Sequence, residues 1–191
     1  MANVSRVNGF RPSATLNGAN WNSKIHKYWV PATDATAIFV GDLVKLASGT
    51  DSTGRRSVTK ASVGDAIIGS VVNVDYNMVN LNSPQYRPAS TGMYVYVADD
   101  PETIYEVEVY GTVAQTLAGL NANFHDAGGN TSTGMSGEAV DASTAATTAT
   151  LQVKILDFVQ AVDNDSTSSY AKVFVKINNH QLATGTGTAG V

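Results

Sequence analysis

The chain has 191 residues, of which 43% are hydrophobic and 15% are charged, with a net charge of −4 and no cysteine. The hydrophobic content excludes general disorder, and the charged fraction lies well below the typical ~25%. The net negative charge gives no support for nucleic-acid binding, where a basic face is expected. The lack of cysteine excludes disulfides, thiolate metal sites and cysteine nucleophiles.

Residues 1–27 form a polar lead that we predict to be an N-terminal arm. It contains turn signals and two isolated aromatic residues, Phe10 and Trp21. Two interpretations stay open: the arm docks on a neighbouring subunit, or it closes over its own core. The start has no apolar segment of signal-peptide type, so export is not expected. No apolar run approaches the ~18–20 residues needed to span a bilayer, so no membrane partner is expected.

Residues 28–182 are predicted to form one β-domain. It opens with a strand over 28–31 that ends at a proline, followed by the apolar stretch 38–74. In this stretch Gly-Asp follows an apolar residue twice, at 41–42 and at 64–65. Glycine accepts a positive φ and aspartate bonds nearby backbone, so both sites predict turns between short strands on a shared core.

Two further strands are predicted after a polar loop over 77–90. The first covers 93–98 and the second 104–110, where glutamates and apolar residues alternate with a period of two. Asp-Asp-Pro at 99–101 is turn chemistry. The pair is therefore predicted to be an antiparallel hairpin.

The second half of the chain contains a long segment of small and polar residues over 119–150. We predict a surface loop here, because loops of this length usually make contacts or are disordered. Two strands over 151–159 and 170–177 follow, and the tail 183–191 is predicted to be flexible. Together these elements predict an all-β fold: a single β-barrel or β-sandwich with an extended N-terminal arm and a long Gly/Thr-rich surface loop.

Motifs that would indicate catalysis fail on their context. The glycine spacing at 185–190 matches a dinucleotide fingerprint but does not open a helix, and the Ser57–Lys60 S-x-x-K pattern lacks its companion motifs. The three histidines have no metal-ligand spacing. We therefore predict no catalytic residue, no cofactor and no metal site.

Several segments together resemble a known family. GDLVKL, VTKASVGDAIIGSVVNV, YRPAST, YVYVADDP, LDFVQAVDN and YAKVFVKINNHQ look like structural proteins of tailed bacteriophages, and they are most similar to small capsid decoration, or cement, proteins. The resemblance covers most of the chain from Gly41 to Gln181. It implies a β-barrel or β-sandwich that binds the outside of an icosahedral shell as an oligomer and reinforces it, with no catalytic residues.

The predicted partners are therefore the major capsid protein and further copies of the chain, as a trimer or dimer. The predicted location is the capsid exterior of a virion assembled in the host bacterial cytoplasm. One alternative is a head-fibre base or tail component. Another, from a different class, is a carbohydrate-binding or hydrolytic β-domain with a cleft of aromatic and acidic groups such as Tyr94, Tyr96, Glu106 and Glu108. We predict that contacts come from the arm and the long loop, with seven candidate residues: Phe10, Arg11, Asn17, Trp21, Asn123, Phe124 and His125.

Overall fold

The computed structural model describes residues 3–22, 24–80, 82–183 and 187–190 and confirms the all-β prediction. The described part contains twelve strands and two short 3₁₀ turns. Five strands form a closed barrel: β2 (His26–Val30), β3 (Leu43–Thr50), β4 (Arg56–Lys60), β5 (Gly69–Val74) and β6 (Met93–Ala98). Seven belong to a second sheet: β1 (Arg11–Thr15), β7 (Thr103–Tyr110), β8 (Asn121–Ala122), β9 (Phe124–His125), β10 (Ala139–Asp141), β11 (Val153–Phe158) and β12 (Lys172–Ile177).

The barrel runs in the order β2-β4-β3-β5-β6 and closes through β6 and β2. All its pairings are antiparallel except the one between β2 and β4, which joins Trp29 to Ser57 in parallel. Its interior is filled by small β-branched side chains, as expected where strands tilt around a narrow core. These include Val30, Val44, Val58, Ile68, Val95 and Val97.

The second sheet has the order β8-β11-β12-β7-β10-β9, and β1 also pairs with β7. Strand β7 is central: β12 lies along one edge, and β1 and β10 lie one after the other along the opposite edge. Its residues alternate between buried and half-buried, as the period-two sequence pattern predicted. The buried side of β7 supplies Tyr105, Val107 and Val109 to the larger hydrophobic core.

Both Gly-Asp units form the predicted turns. Gly41 and Gly64 have φ values of +97° and +93°, in the region that favours glycine. The carboxylates of Asp42 and Asp65 each accept a hydrogen bond from the backbone amide three residues earlier, at 2.8 and 2.7 Å. The two turns are therefore locally equivalent.

The strands that follow these turns do not share one core, contrary to the sequence expectation. Val44 and Ile68 point into the barrel, whereas Leu43 and Ile67 belong to the core beneath the second sheet. Successive residues of a strand face opposite sides, so one strand can supply both cores. The stretch 38–74 thus joins the two halves of the fold.

The predicted hairpin around 99–101 is wrong. Strand β6 pairs with β2 and β5 in the barrel, and β7 pairs with strands of the second sheet. The turn carries the chain from one sheet to the other. The hydroxyl of Tyr105 nevertheless donates a hydrogen bond to the carbonyl of Ala98 at 2.8 Å, so the two strands stay in contact where they separate.

Two segments predicted to be peripheral contribute to the fold. The arm provides β1, and the long loop 119–150 provides β8, β9 and β10. In the tail, Thr188 accepts a hydrogen bond from the side chain of Asn121 and donates its amide to Asn178, so residues 187–190 are held against the second sheet. Residues 184–186 and 191 of the predicted flexible tail lie outside the described residues. Two of them, 185 and 186, also belong to the glycine motif.

Candidate contact surfaces and a buried ionic cluster

Two of the seven predicted contact residues have buried side chains. Phe10 and Phe124 are both in the larger core, and Phe10 packs edge-to-face against Tyr105 with ring centroids 6.5 Å apart. A partner could reach these rings only if the core opened. We therefore correct the candidate set by leaving both residues out.

Arg11 and Trp21 line one groove at the junction of the arm with the barrel. The groove has a volume of about 460 Å³, and its wall also includes Val72 and Met135. The arm is held beside it by a 2.9 Å hydrogen bond from the amide of Phe10 to the carbonyl of Gly41. The structure therefore brings together two predicted contact residues on a surface of mixed polar and apolar character.

Asn17 has a structural role in a turn of the arm. Its Oδ1 atom accepts hydrogen bonds from the Thr15 hydroxyl at 2.6 Å and from the Ala19 amide at 3.0 Å. Asparagine commonly closes turns in this way. These two hydrogen bonds account for an asparagine at position 17 without any contact to a partner protein.

Asn123 and His125 lie beside an exposed aromatic residue. The His125 ring stacks on Tyr110, with centroids 3.8 Å apart and an interplanar angle of 4°. Asn123 separates β8 from β9, and its carbonyl accepts a hydrogen bond from the Asp141 amide. The pair therefore remains a candidate contact surface, with Tyr110 as a residue that the sequence analysis did not select.

A third surface, which the sequence analysis missed, is the loop after β5. Met78 and Val79 are 78% and 94% exposed. The Val79 amide donates to the Asn77 side chain at 3.0 Å, and the amide of Asn77 donates to the hydroxyl of Ser83 at 3.2 Å, so the loop is braced by its own polar groups. Adjacent apolar residues inside a polar loop were the signal that could have identified it.

The side chains proposed for carbohydrate binding lie on different sheets. Tyr94 and Tyr96 are on β6 of the barrel, where the Lys27 ammonium lies 4.4 Å from the Tyr94 ring centroid. Glu106 and Glu108 are on β7, and Glu108 accepts a hydrogen bond from the Arg6 amide. The two tyrosines and the two glutamates therefore do not lie together on one face of a sheet.

Next to the first Gly-Asp turn, a buried ionic cluster joins the barrel to the second sheet. The Lys60 ammonium nitrogen lies 3.9 Å from Asp42 Oδ1, 3.3 Å from Glu138 Oε1 and 2.9 Å from Asp126 Oδ1. The side chains of Asp42 and Glu138 are fully buried, whereas those of Lys60 and Asp126 are 11% and 45% exposed. The cluster therefore places three carboxyl groups around one cation.

Each buried carboxyl group has one bonded and one unpartnered oxygen. Asp42 Oδ2 accepts from the Phe39 amide and Glu138 Oε2 accepts from the Leu43 amide, both at 2.8 Å. Within the described residues, Asp42 Oδ1 and Glu138 Oε1 have no hydrogen-bond partner, although both face Lys60. Unpartnered buried oxygens are costly and need an explanation.

Burial controls the protonation of this cluster. It raises the pKa of Glu138 well above its usual value, and the neighbouring Asp42 charge raises it further. Burial also raises the pKa of Asp42, against the opposing effects of Lys60 and the Ser136 hydroxyl. Burial disfavours the Lys60 charge, but the carboxylates outweigh it and the pKa of Lys60 is raised.

The replacement Glu138→Gln is expected to change how stability depends on pH. Because its pKa is raised in the folded state, Glu138 contributes stability that is full below its unfolded value of about 4.5 and is lost as pH rises through the folded pKa. Urea unfolding between pH 4.5 and 8 measures the effect. The wild-type free energy of unfolding should fall relative to that of Glu138→Gln as pH increases. If the two curves of free energy against pH ran parallel, the raised pKa of Glu138 in the folded state would be contradicted.

Comparisons with protein-family models, with curated proteins and with solved structures gave no match. Over the described ranges, no three or more His, Asp or Glu side chains are grouped so as to hold a metal ion. In the same part of the chain, no helix is long and apolar enough to cross a membrane.

Proposed function

We propose that the chain is a structural virion protein that binds the outer surface of an icosahedral phage capsid and stabilises it. The observation that carries the proposal is the exposed apolar pair Met78 and Val79 on a braced loop of an all-β scaffold. The resemblance of the strand and turn segments to decoration proteins supplies the class of partner, the major capsid protein.

The energetics of such a loop suit a protein that binds a shell in many copies. Burying a Met or Val side chain contributes about 1.5–3 kcal/mol, so the pair contributes a modest affinity for each copy. Contacts between neighbouring copies on a shell would multiply such weak interactions through avidity. The low charge of the chain fits contacts of this apolar and hydrogen-bonding type.

We also propose that the chain acts as a homo-oligomer, with contacts through side chains rather than through strand pairing. The strands at the two ends of the second sheet, β8 and β9, have two residues each. The outer edge of β8 already exchanges two backbone hydrogen bonds with Ala146. Such short edges offer little template for another chain. The longer strand β1 is paired on one side with β7, and its outer edge bonds to its own turn, where the Thr15 amide donates to the Ala19 carbonyl at 3.0 Å. These features favour the groove at Arg11 and Trp21 as a contact surface.

Co-sedimentation with shells of the major capsid protein encoded in the same genome tests the proposal. The wild-type chain should pellet with shells and saturate at a fixed copy number. The double replacement Met78→Asn with Val79→Asn should weaken binding about 100-fold, equivalent to roughly 3 kcal/mol. Val162→Asn, at a fully exposed valine in another turn, is the matched control and should bind like the wild type.

The possible outcomes separate the alternatives. If the wild type does not sediment with shells, the proposal fails. Saturation at a few copies, as at the vertices, would favour a head-fibre base instead. If the double variant bound shells as tightly as the wild type, the protein would still be a shell-binding protein, but the loop would not be its contact surface. Selective binding on a glycan array without shell binding would favour the carbohydrate-binding alternative.

A further inference from the structure

The buried cluster contains the groups that formation of an intramolecular amide requires. An amine, a buried carboxyl acceptor and a second buried carboxyl group that can carry a proton lie together at Lys60, Asp42 and Glu138. We propose that Lys60 and Asp42 become joined by an isopeptide bond, with Glu138 as the proton carrier. This inference does not depend on the proposed capsid function.

The hydrogen bonds select Asp42 as the acceptor. Its Oδ2 is held by the Phe39 amide, whereas its Oδ1 lies 3.9 Å from the Lys60 nitrogen and has no partner within the described part. The unpartnered oxygen can therefore leave while the held oxygen remains as the amide carbonyl. Asp126 is closer to the nitrogen but is 45% exposed, so its carboxylate is solvated and a less reactive acceptor.

Glu138 lies beside the Lys60 amine and is hydrogen-bonded to the residue that follows Asp42, so we assign it the proton transfers. Its Oε2 is fixed by the Leu43 amide, the residue next to Asp42, and its free Oε1 lies 3.3 Å from the Lys60 nitrogen. A carboxyl group whose pKa is raised towards the working pH is suited to general acid–base catalysis. The raised pKa of Glu138 is consistent with this role.

The reaction balances without a further reagent. The Lys60 ammonium passes one proton through Glu138 to Asp42 Oδ1, which leaves a neutral amine and a neutral acid. The amine nitrogen then attacks Asp42 Cγ, forming the N–C bond. Glu138 transfers a second proton from nitrogen to the departing oxygen, the Cγ–Oδ1 bond breaks, and one water molecule is released with no change in oxidation state. Fixed proximity of the reactants, with both carboxyl groups fully buried, favours such a step.

The product also resolves the unpartnered oxygens. Asp42 Oδ1 has left as water, and the new amide N–H faces Glu138 Oε1. The bond replaces a buried ion pair, whose desolvation is costly, with a neutral group. The cross-link joins the turn before β3 to the last residue of β4, beside the junction of the two sheets.

Intact mass spectrometry of the purified full-length chain tests the bond. The wild type should be lighter than its sequence mass by one water molecule, and fragmentation of a digest should show Lys60 covalently attached to Asp42. Glu138→Gln and Lys60→Arg should have their full masses, whereas Asp126→Asn should still lose one water. Circular dichroism checks that each variant is folded.

A wild-type chain of full sequence mass overturns the proposal. So does a lost water that maps to a succinimide at an aspartate, or a cross-link that maps to Asp126. If Glu138→Gln still loses water and carries the Lys60–Asp42 link, the assignment of Glu138 as the proton carrier is wrong. These outcomes do not involve capsid binding, so the two proposals fail independently.

Discussion

Replacement of Arg87 with methionine is expected to destabilise the fold by about 3–5 kcal/mol, the range for removing one partner of a buried ion pair, because the guanidinium also lies 3.8 Å from Asp34 Oδ1. The side chain is fully buried, and its guanidinium donates four hydrogen bonds of 2.6–2.8 Å to backbone carbonyls. The acceptors are Pro31, Asp34, Thr36 and Thr91. Methionine has similar length but no donor, so these carbonyls would lose partners that water cannot replace.

Urea unfolding at constant pH measures this effect, with Arg55→Met as the matched control at an exposed arginine. Arg87→Lys should recover little of the loss, because one ammonium group cannot reproduce the planar guanidinium fork. Equal unfolding midpoints for Arg87→Met and Arg55→Met would show that the four hydrogen bonds do not stabilise the fold.

Replacement of Phe10 with alanine is expected to cost about 3–5 kcal/mol, because it removes a fully buried aromatic side chain and leaves a cavity. Phe10 packs against Tyr105 of β7, and its carbonyl accepts a 2.6 Å hydrogen bond from the buried Ser70 hydroxyl. The residue therefore connects the arm to both sheets. Thermal or urea unfolding followed by circular dichroism gives the free energy.

Trp21→Ala is the matched control, since Trp21 is only partly buried and lines the groove. Its effect on stability should be much smaller than that of Phe10→Ala. The same structure implies that deleting residues 1–24 would remove β1 and expose the core beneath β7, so loss of shell binding by such a deletion would not identify a contact. If Phe10→Ala and Trp21→Ala lowered the free energy of unfolding by similar amounts, the assignment of Phe10 to the core and of Trp21 to the groove surface would be wrong.

Local chemistry explains which parts of the fold were predictable. The turns at Gly41 and Gly64 depend on a positive φ and a carboxylate three residues from its amide donor, and both requirements lie within four residues of sequence. Strand β7 was recognisable because one buried face imposes a period of two. Strands β11 and β12 were recognisable as apolar runs separated by a polar turn, although their pairing was not predicted.

The candidate site was less predictable because burial is a property of the whole fold. Phe10 and Phe124 stand in polar surroundings in the sequence, yet each fills the larger core. Arg87 was not singled out, since nothing near it in the sequence indicates that four carbonyls converge on its side chain. The cluster of Lys60, Asp42 and Glu138 was missed for the same reason: Glu138 is nearly a hundred residues from Asp42 along the chain.

The sequence by itself determined the all-β class, the positions of the turns and the absence of thiol chemistry, because these depend on composition, short-range periodicity and backbone preferences. Only the tertiary structure decided that β6 and β7 belong to different sheets, that the arm and the long polar segment are parts of the core, and that Lys60 meets two buried carboxyl groups. The reason is physical: strand partners and buried charges are selected by long-range packing, which residues adjacent in sequence do not specify.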